Sequence, residues 1–346
     1  MSGVARKIRF QDARVEMAHG AGGKASRRLI DGLFAPILFG PSWEPLGDAA
    51  RVDVGGARLA LTTDSFVVHP LRFPGGSIGE LAVNGTVNDL AVSGARAVAM
   101  VAGYVLEAGL PTEILEAEIR AMAGAAARAG VTIAGGDTKV VEHGKADGMY
   151  ITTSAVGRVI PDLEISPARV RVGDQVILSG PIGDHGITIL LARGELDFEA
   201  ELRSDTRSVL PLVEALARAA GGAVHWMRDP TRGGVATALN ELSLDCGLAI
   251  AAEEERIPVR DAVRGACELL GLDPLHIANE GQLIAVVARD SAEAAVAALR
   301  ETPGGEYASI FGEVIAHPAG AVVVKSAYGG SRIVDMLVGD PLPRIC

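Results

Sequence analysis

The sequence predicts two α+β domains with mixed sheets and an extended C-terminal tail. Three observations carry that expectation. The chain has 346 residues, enough for two domains, and 49% hydrophobic against 22% charged residues is a globular composition. Short apolar runs of strand length alternate with helix-length segments. A proline-containing break at 161–167 separates two halves that repeat the mixture.

In order, residues 59–63 read as a short buried strand. Ser77 and Glu80 have capping-box spacing, so a helix starts there and runs to about Gly94. Residues 97–106 read as a strand. Thr112 after Pro111 opens a helix with Glu113 and Glu116 in its first turn and Gly130 as its stop. Strands at 131–134 and 150–156 flank a Gly135-Gly136-Asp137-Thr138 loop. The second half has a strand at 175–179, then a Gly-rich loop and a helix near 187–193. Helices follow near 206–219, 233–245 and 259–270, with strands near 249, 283–288 and 321–324. The resulting division is a Gly-rich N-terminal segment (1–40), two domains (41–160 and 168–328) and a mobile tail (329–346).

Composition excludes several function classes. A net charge of −11 argues against a phosphate-backbone binder, and 4% aromatic residues supply a poor stacking platform for single strands. The apolar run at 97–106 is about half of what a helix needs to span a bilayer. Three cysteines without metal-ligand spacing suit a reducing cytosol. Glycine, at 43 residues, is the outlier, and it clusters between apolar runs where backbone takes positive φ or lies against a ligand.

Asp48, Asp64, Asp89 and Asp137 each sit in a small-residue motif. Such carboxylates suit Mg²⁺ shared with phosphates, although each alone is as readily a cap or turn residue. The loop from His19 through Gly20, Gly22 and Gly23 to Lys24 offers backbone N–H groups and one ammonium to phosphates, without the Walker ending. Lys139 follows Asp137 by two residues and shares its side, as part of a site or as a surface ion pair. Arg228 and Arg232 precede a helix start, a reasonable anion site. Glu280 is a base or a turn residue, and His185 lies in the second Gly-rich loop. Cys346 ends a stiff approach through Pro341 and Pro343, which presents its thiol as a carrier group.

Together the runs HGAGG (19–23), TTDSFVVHPLRFPGG (62–76), LAVNGTVNDLA (81–91), GGDTKVV (135–141), LSGPIGDHG (178–186), RDPTRGG (228–234), ANEG (278–281) and LPRIC (342–346) resemble the HypE family of hydrogenase maturation factors. The likeness spans essentially the whole chain. More broadly the chain is similar to the superfamily of aminoimidazole ribonucleotide synthetase, selenophosphate synthetase and thiamine-monophosphate kinase. Ser77 and Gln282 depart from the usual residues of the family.

That resemblance implies two mixed domains of the aminoimidazole ribonucleotide synthetase type, paired as a homodimer in the cytoplasm. It implies ATP and Mg²⁺ as cofactors. The carbamoyltransferase HypF is expected to load a carbamoyl group onto Cys346. ATP then activates the thiocarboxamide oxygen, loss of phosphate leaves a thiocyanate, and the cyano group passes to iron on a HypC–HypD complex. By the same resemblance Gly20, Gly22, Gly23, Lys24, Thr63, Asp64, Asn88, Asp89, Asp137 and Thr138 hold the nucleotide. Asp48, Asp64, Asp89 and Asp137 hold the metal, Lys139 steadies the phosphates and Glu280 is the base. Two alternatives predict different behaviour of Cys346: a kinase or synthetase for a free substrate, and a non-catalytic ATP-binding scaffold.

Overall fold

The computed structural model describes residues 9–40, 43, 46–194, 201–326, 328–339, 342 and 344–346. Helix α1 (Lys24–Leu29) runs through a π turn (Ile30–Phe34) into α2 (Ala35–Leu38). This segment lies on the second domain: Arg27 pairs with Asp245 at 2.7 Å, and Gly23 packs against the Leu337 carbonyl where a Cβ would collide.

The first domain holds β1 (Ala50–Val54), β2 (Ala57–Phe66), the small hairpin β3 (Arg72–Phe73) and β4 (Gly76–Ser77), then α3 (Ile78–Val92), β5 (Ala95–Glu107), α4 (Thr112–Ala129), β6 (Thr132–Val141) and β7 (Met149–Val159). Gly55 and Gly56, at φ 56° and 83°, make the two-residue turn that joins β1 to β2. The sheet order is β1-β2-β7-β5-β6, with β6 parallel to β5 at one edge. Helices α3 and α4 pack together, and α3 covers β2, β5 and β7. Alternation puts Ala60 and Ala102 into that core and leaves Leu61 and Val101 on the open face.

The second domain follows with β8 (Gln175–Leu178), α5 (Asp184–Ala192), α6 (Leu210–Ala220), β9 (Val224–Arg228), α7 (Gly234–Cys246), β10 (Ala249–Glu253), α8 (Asp261–Leu270), β11 (Ile284–Val287), α9 (Arg289–Arg300), β12 (Ser309–Ile315), β13 (Val322–Lys325) and β14 (Ser331–Val334). Its sheet runs β14-β13-β10-β12-β8-β11-β9 and is antiparallel except between β10 and β13. No helix of the described residues is long and apolar enough to cross a membrane.

Three local expectations change. Residues 135–138 belong to β6 rather than a loop, because Gly136 lies so close to the Ala102 carbonyl that a Cβ would collide. The start of α3 lacks its capping box: the Ser77 side chain caps nothing and Glu80 pairs with Arg128 at 2.6 Å. Glu118 of α4 instead accepts the Gly79 N–H at 3.1 Å while paired to Arg72 at 2.9 Å. Strand β14 and helix α9, with β9 and β12, add to the elements the patterns predicted, so the chain stays in the sheet until Val334. Pro341 and Pro343, the basis for a stiff approach, lie outside the described residues.

The end of the chain is docked. Leu342, Ile345 and Cys346 are buried in the core that also holds Phe66, Ile187 and Ile277. The Val67 and His69 N–H groups donate to the Cys346 and Arg344 carbonyls at 3.0 and 3.2 Å. Arg193 donates to the Arg344 carbonyl at 2.6 Å, and the Arg344 side chain pairs with Asp147. His185 Nε2 lies 2.6 Å from the Ile345 carbonyl and so carries the proton, while Nδ1 accepts from the Ser204 hydroxyl at 2.8 Å. Burial drops the His185 pKa to about 4, which keeps the ring neutral. Arg344 adopts a left-handed φ of 59°, uncommon for a residue with a Cβ.

Candidate active site

A cavity of about 1200 Å³ opens between the domains. Each wall is built by local chain geometry. Asp48 precedes β1, Asp64 shares the face of β2 that carries Ala60 and Phe66, and Asp89 lies in the last turn of α3. Asp229 directly follows β9, Glu280 stands in the turn before β11, and Cys346 enters from the docked end.

Carboxylate oxygens of Asp48, Asp89 and Asp229 all lie within 4.8 Å of one another. Burial pushes the Asp89 carboxyl well above the usual range, and repulsion from Asp64, Asp229 and Asp48 adds to it. Burial does the same to Asp229, with repulsion from Asp48, and one Asp229 oxygen has no hydrogen-bond partner. Asp48 and Asp64 are raised mainly by burial, opposed by Arg228 and Arg232 respectively. Arg228 holds Asp48 at 2.8 Å and Glu241 at 3.1 Å. The Thr62 hydroxyl lies 2.7 Å from Asp89 Oδ2 and 2.8 Å from the Asp48 carbonyl. Hard oxygen donors, mutually repulsive and short of partners, fit a divalent cation such as Mg²⁺.

Glu280 and Cys346 line the same cavity. Glu280 is 2% exposed, and its Oε1 has no hydrogen-bond partner. Burial pushes its carboxyl well above the usual range, with repulsion from Asp229, Asp205 and Asp64 adding and Arg232 opposing. Gly85 of α3 lets Glu280 and Phe66 approach, since a Cβ there would stand 2.9 Å from the Phe66 ring. An acidic cluster able to hold a metal and phosphates thus shares one cavity with a carboxyl of high proton affinity and a thiol.

Of the residues expected here, Gly20, Gly22, Asp48, Thr63, Asp64, Asp89, Glu280 and Cys346 line the cavity. Gly23 and Lys24 turn away, and Lys24 pairs with Asp335. Asn88 does not line the cavity: its side chain bonds the Glu280, Arg207 and Val209 backbone. Asp137, Thr138 and Lys139 are exposed on edge strand β6, apart from the acidic cluster within a single chain. There Lys139 lies 2.7 Å from Asp137 and holds its carboxyl below the usual range, the opposite of Asp89. The substituted residues are structural: Ser77 is buried at the head of α3, and Gln282 accepts from Ser179 at 2.7 Å. Asp229 is the member of the acidic cluster that the sequence reading missed. Its signal was its place between a strand end and Pro230, read only for the neighbouring arginines.

Comparison with known proteins agrees with this geometry. Residues 46–159 match the N-terminal domain, and 171–325 the C-terminal domain, of AIR synthase related proteins. The carbamoyl dehydratase HypE of Azotobacter vinelandii is 47% identical over 340 residues, covering 98% of this chain and 99% of its own. A crystal structure of a HypE–HypF complex superposes with a TM-score of 0.84 at 44% identity, over 89% of this chain and 99% of that one. A crystal structure of HypE in complex with ATP gives 0.80 at 46% identity, over 96% and 100%. With two AIR synthase related domains, full-length likeness and a terminal cysteine lining the same cavity as an acidic cluster, the chain belongs to the HypE family.

Proposed function

We propose that this chain is an ATP-dependent carbamoyl dehydratase whose substrate is an S-carbamoyl group on its own Cys346. The reading rests on one observation above the rest: Cys346 lines the same cavity as the acidic cluster and Glu280. An amide oxygen is a poor leaving group, so dehydration needs phosphoryl transfer from ATP to that oxygen. Loss of phosphate and of the nitrogen protons leaves a thiocyanate. Glu280, desolvated and lining the same cavity as the thiol, takes a nitrogen proton. Asp48, Asp89 and Asp229 would hold Mg²⁺, which when bound supplies charge neutralisation at the phosphates. Asp64 and the Gly20–Gly22 backbone lie beside them, and Arg232 is anchored on the Gly20 carbonyl at 3.0 Å.

A carbamoyltransferase of the HypF kind supplies the group, and a HypC–HypD complex carrying iron receives the cyanide, completing a [NiFe]-hydrogenase ligand. Three cysteines without a disulfide suit the cytoplasm for this work. The protein acts as a homodimer of paired first domains. Edge strand β6 is exposed along nearly its whole length, and Leu61, Val101 and Ile133 add apolar surface to that sheet. A partner sheet there would carry Asp137, Thr138 and Lys139 toward the nucleotide. The test is intact mass of the protein carbamoylated by its transferase, with and without Mg-ATP. ATP-dependent loss of one water, mapped to Cys346, is expected. ATP hydrolysis with the carbamoyl group retained would instead favour a free-substrate kinase.

A further inference from the structure

The turn that presents Glu280 is held in an unusual way. All four backbone polar atoms of Glu280 and Gly281 are engaged, while the Glu280 carboxyl has one oxygen with no partner. Asp205 accepts the Glu280 N–H through Oδ1 and the Gly281 N–H through Oδ2, both at 3.1 Å. The Glu280 carbonyl accepts from Asn88 Nδ2 at 3.3 Å and from the Arg207 N–H at 3.4 Å. The Gly281 carbonyl accepts from Arg207 Nε at 2.9 Å. A Cβ on Gly281 would collide with the Asp205 carbonyl, so the two segments lie in backbone contact.

The three clamp residues come from both domains. Asn88 lies on α3, next to Asp89 but directed away from the cavity, and its Oδ1 also accepts the Val209 N–H at 2.8 Å. Asp205 and Arg207 lie on the irregular segment that leads into α6, and Arg207 reaches on to the Gly304 carbonyl at 2.7 Å. A two-oxygen acceptor on successive N–H groups fixes the peptide plane, and therefore the direction in which the Glu280 side chain leaves it. Asn88 fixes the same turn relative to the helix that carries Asp89.

We propose that Asp205, supported by Asn88 and Arg207, is a positioning residue that sets where the Glu280 carboxyl stands relative to the Cys346 thiocarboxamide. This rests on the reading of Glu280 as the proton acceptor. Asp205→Asn keeps the shape but leaves one backbone N–H facing an amide donor, so the turn rotates. Misplacement of this kind costs about 10- to 100-fold in the dehydration rate.

The experiment follows single-turnover loss of water from carbamoylated protein with Mg-ATP in wild type, Asp205→Asn, Glu280→Gln and the double variant. The expected result is a slower Asp205→Asn with its KM for ATP unchanged, and a double variant no slower than Glu280→Gln alone. An effect that multiplies in the double variant, or an Asp205→Asn at full rate, overturns the proposal. Should Asp205→Asn not fold, Asn88→Ser enters the same cycle with the same criteria. A wild type that loses no water, or a fully active Glu280→Gln, overturns the functional reading itself and is distinguishable from failure of the clamp.

Discussion

The acidic cluster and the turn that carries Glu280 solve opposite problems. In the cluster, side chains are crowded together and burial forces their proton affinities up, so the free protein holds repulsion there. At the turn the crowding is in the backbone: Asp205, Asn88 and Arg207 saturate it, and the Glu280 carboxyl lines the cavity with an oxygen unpartnered. The first arrangement suits a cation that would relieve the repulsion. The second holds a reactive group ready at fixed geometry, whether or not a ligand is present. Binding and preorganisation have been separated along one cavity.

The sharpest way to break this comparison is Glu280→Gln. Loss of a general base is expected to slow dehydration by about 10²- to 10⁴-fold while ATP still binds, as checked by single-turnover mass spectrometry and ATP titration. Asp89→Asn attacks the acidic cluster, with Mg²⁺ affinity falling by more than the about 10- to 100-fold typical of an outer-shell partner. Without Mg²⁺ the same variant should melt higher than wild type, since the repulsion is gone. The sign with pH follows. Unfolded aspartates lose their protons near pH 4 and the folded cluster later, so the folded state holds more protons above that point. Metal-free wild type therefore loses stability as pH rises from about 4 toward neutral, and Mg²⁺ restores it; thermal melts across that range check both.

Lys139→Ala tests the proposed pairing of two chains. Removing a charged hydrogen-bonding partner of the phosphates is worth about a 10- to 100-fold loss of activity, with an unchanged melting temperature for so exposed a residue. Mixing it with Cys346→Ala chains restores turnover only if one chain's lysine serves the other chain's tail. The smallest effect belongs to Asp147→Asn. It removes an exposed partner of Arg344 and His69, and exposed pairs are worth less than about 1 kcal/mol. Alkylation of Cys346 should then accelerate about two- to fivefold.

Much of the fold was legible because its signals are local. Gly130 ends α4 at φ 66°, and the strand periods of β2 and β5 are plain in the sequence. The errors come from glycines and caps whose reasons are tertiary. Gly136 reads as a turn residue until β5 is seen against it, and Glu118 caps α3 from another helix. Within the site, Asn88 and Asp89 differ by about 100° around a helix, and the structure directs Asp89 to the cavity and Asn88 to the Glu280 turn. Asp229 was not legible in the same way, because its partnership with Asp48 and Asp89 exists only once the two domains close on each other.

The docked end has a kinetic consequence. Because the reacting group is carried on the protein that transforms it, the chemical step is first order, and dilution that leaves the proposed dimer intact leaves its rate per chain unchanged. Substrate saturation has no meaning for the thiocarboxamide, and the effective molarity of Cys346 is set by the three carbonyls that hold residues 344–346 in place. Arg344, held at a left-handed φ, gives that arrangement a built-in tendency to let go. Turnover in such a protein is counted in departures of its own terminus.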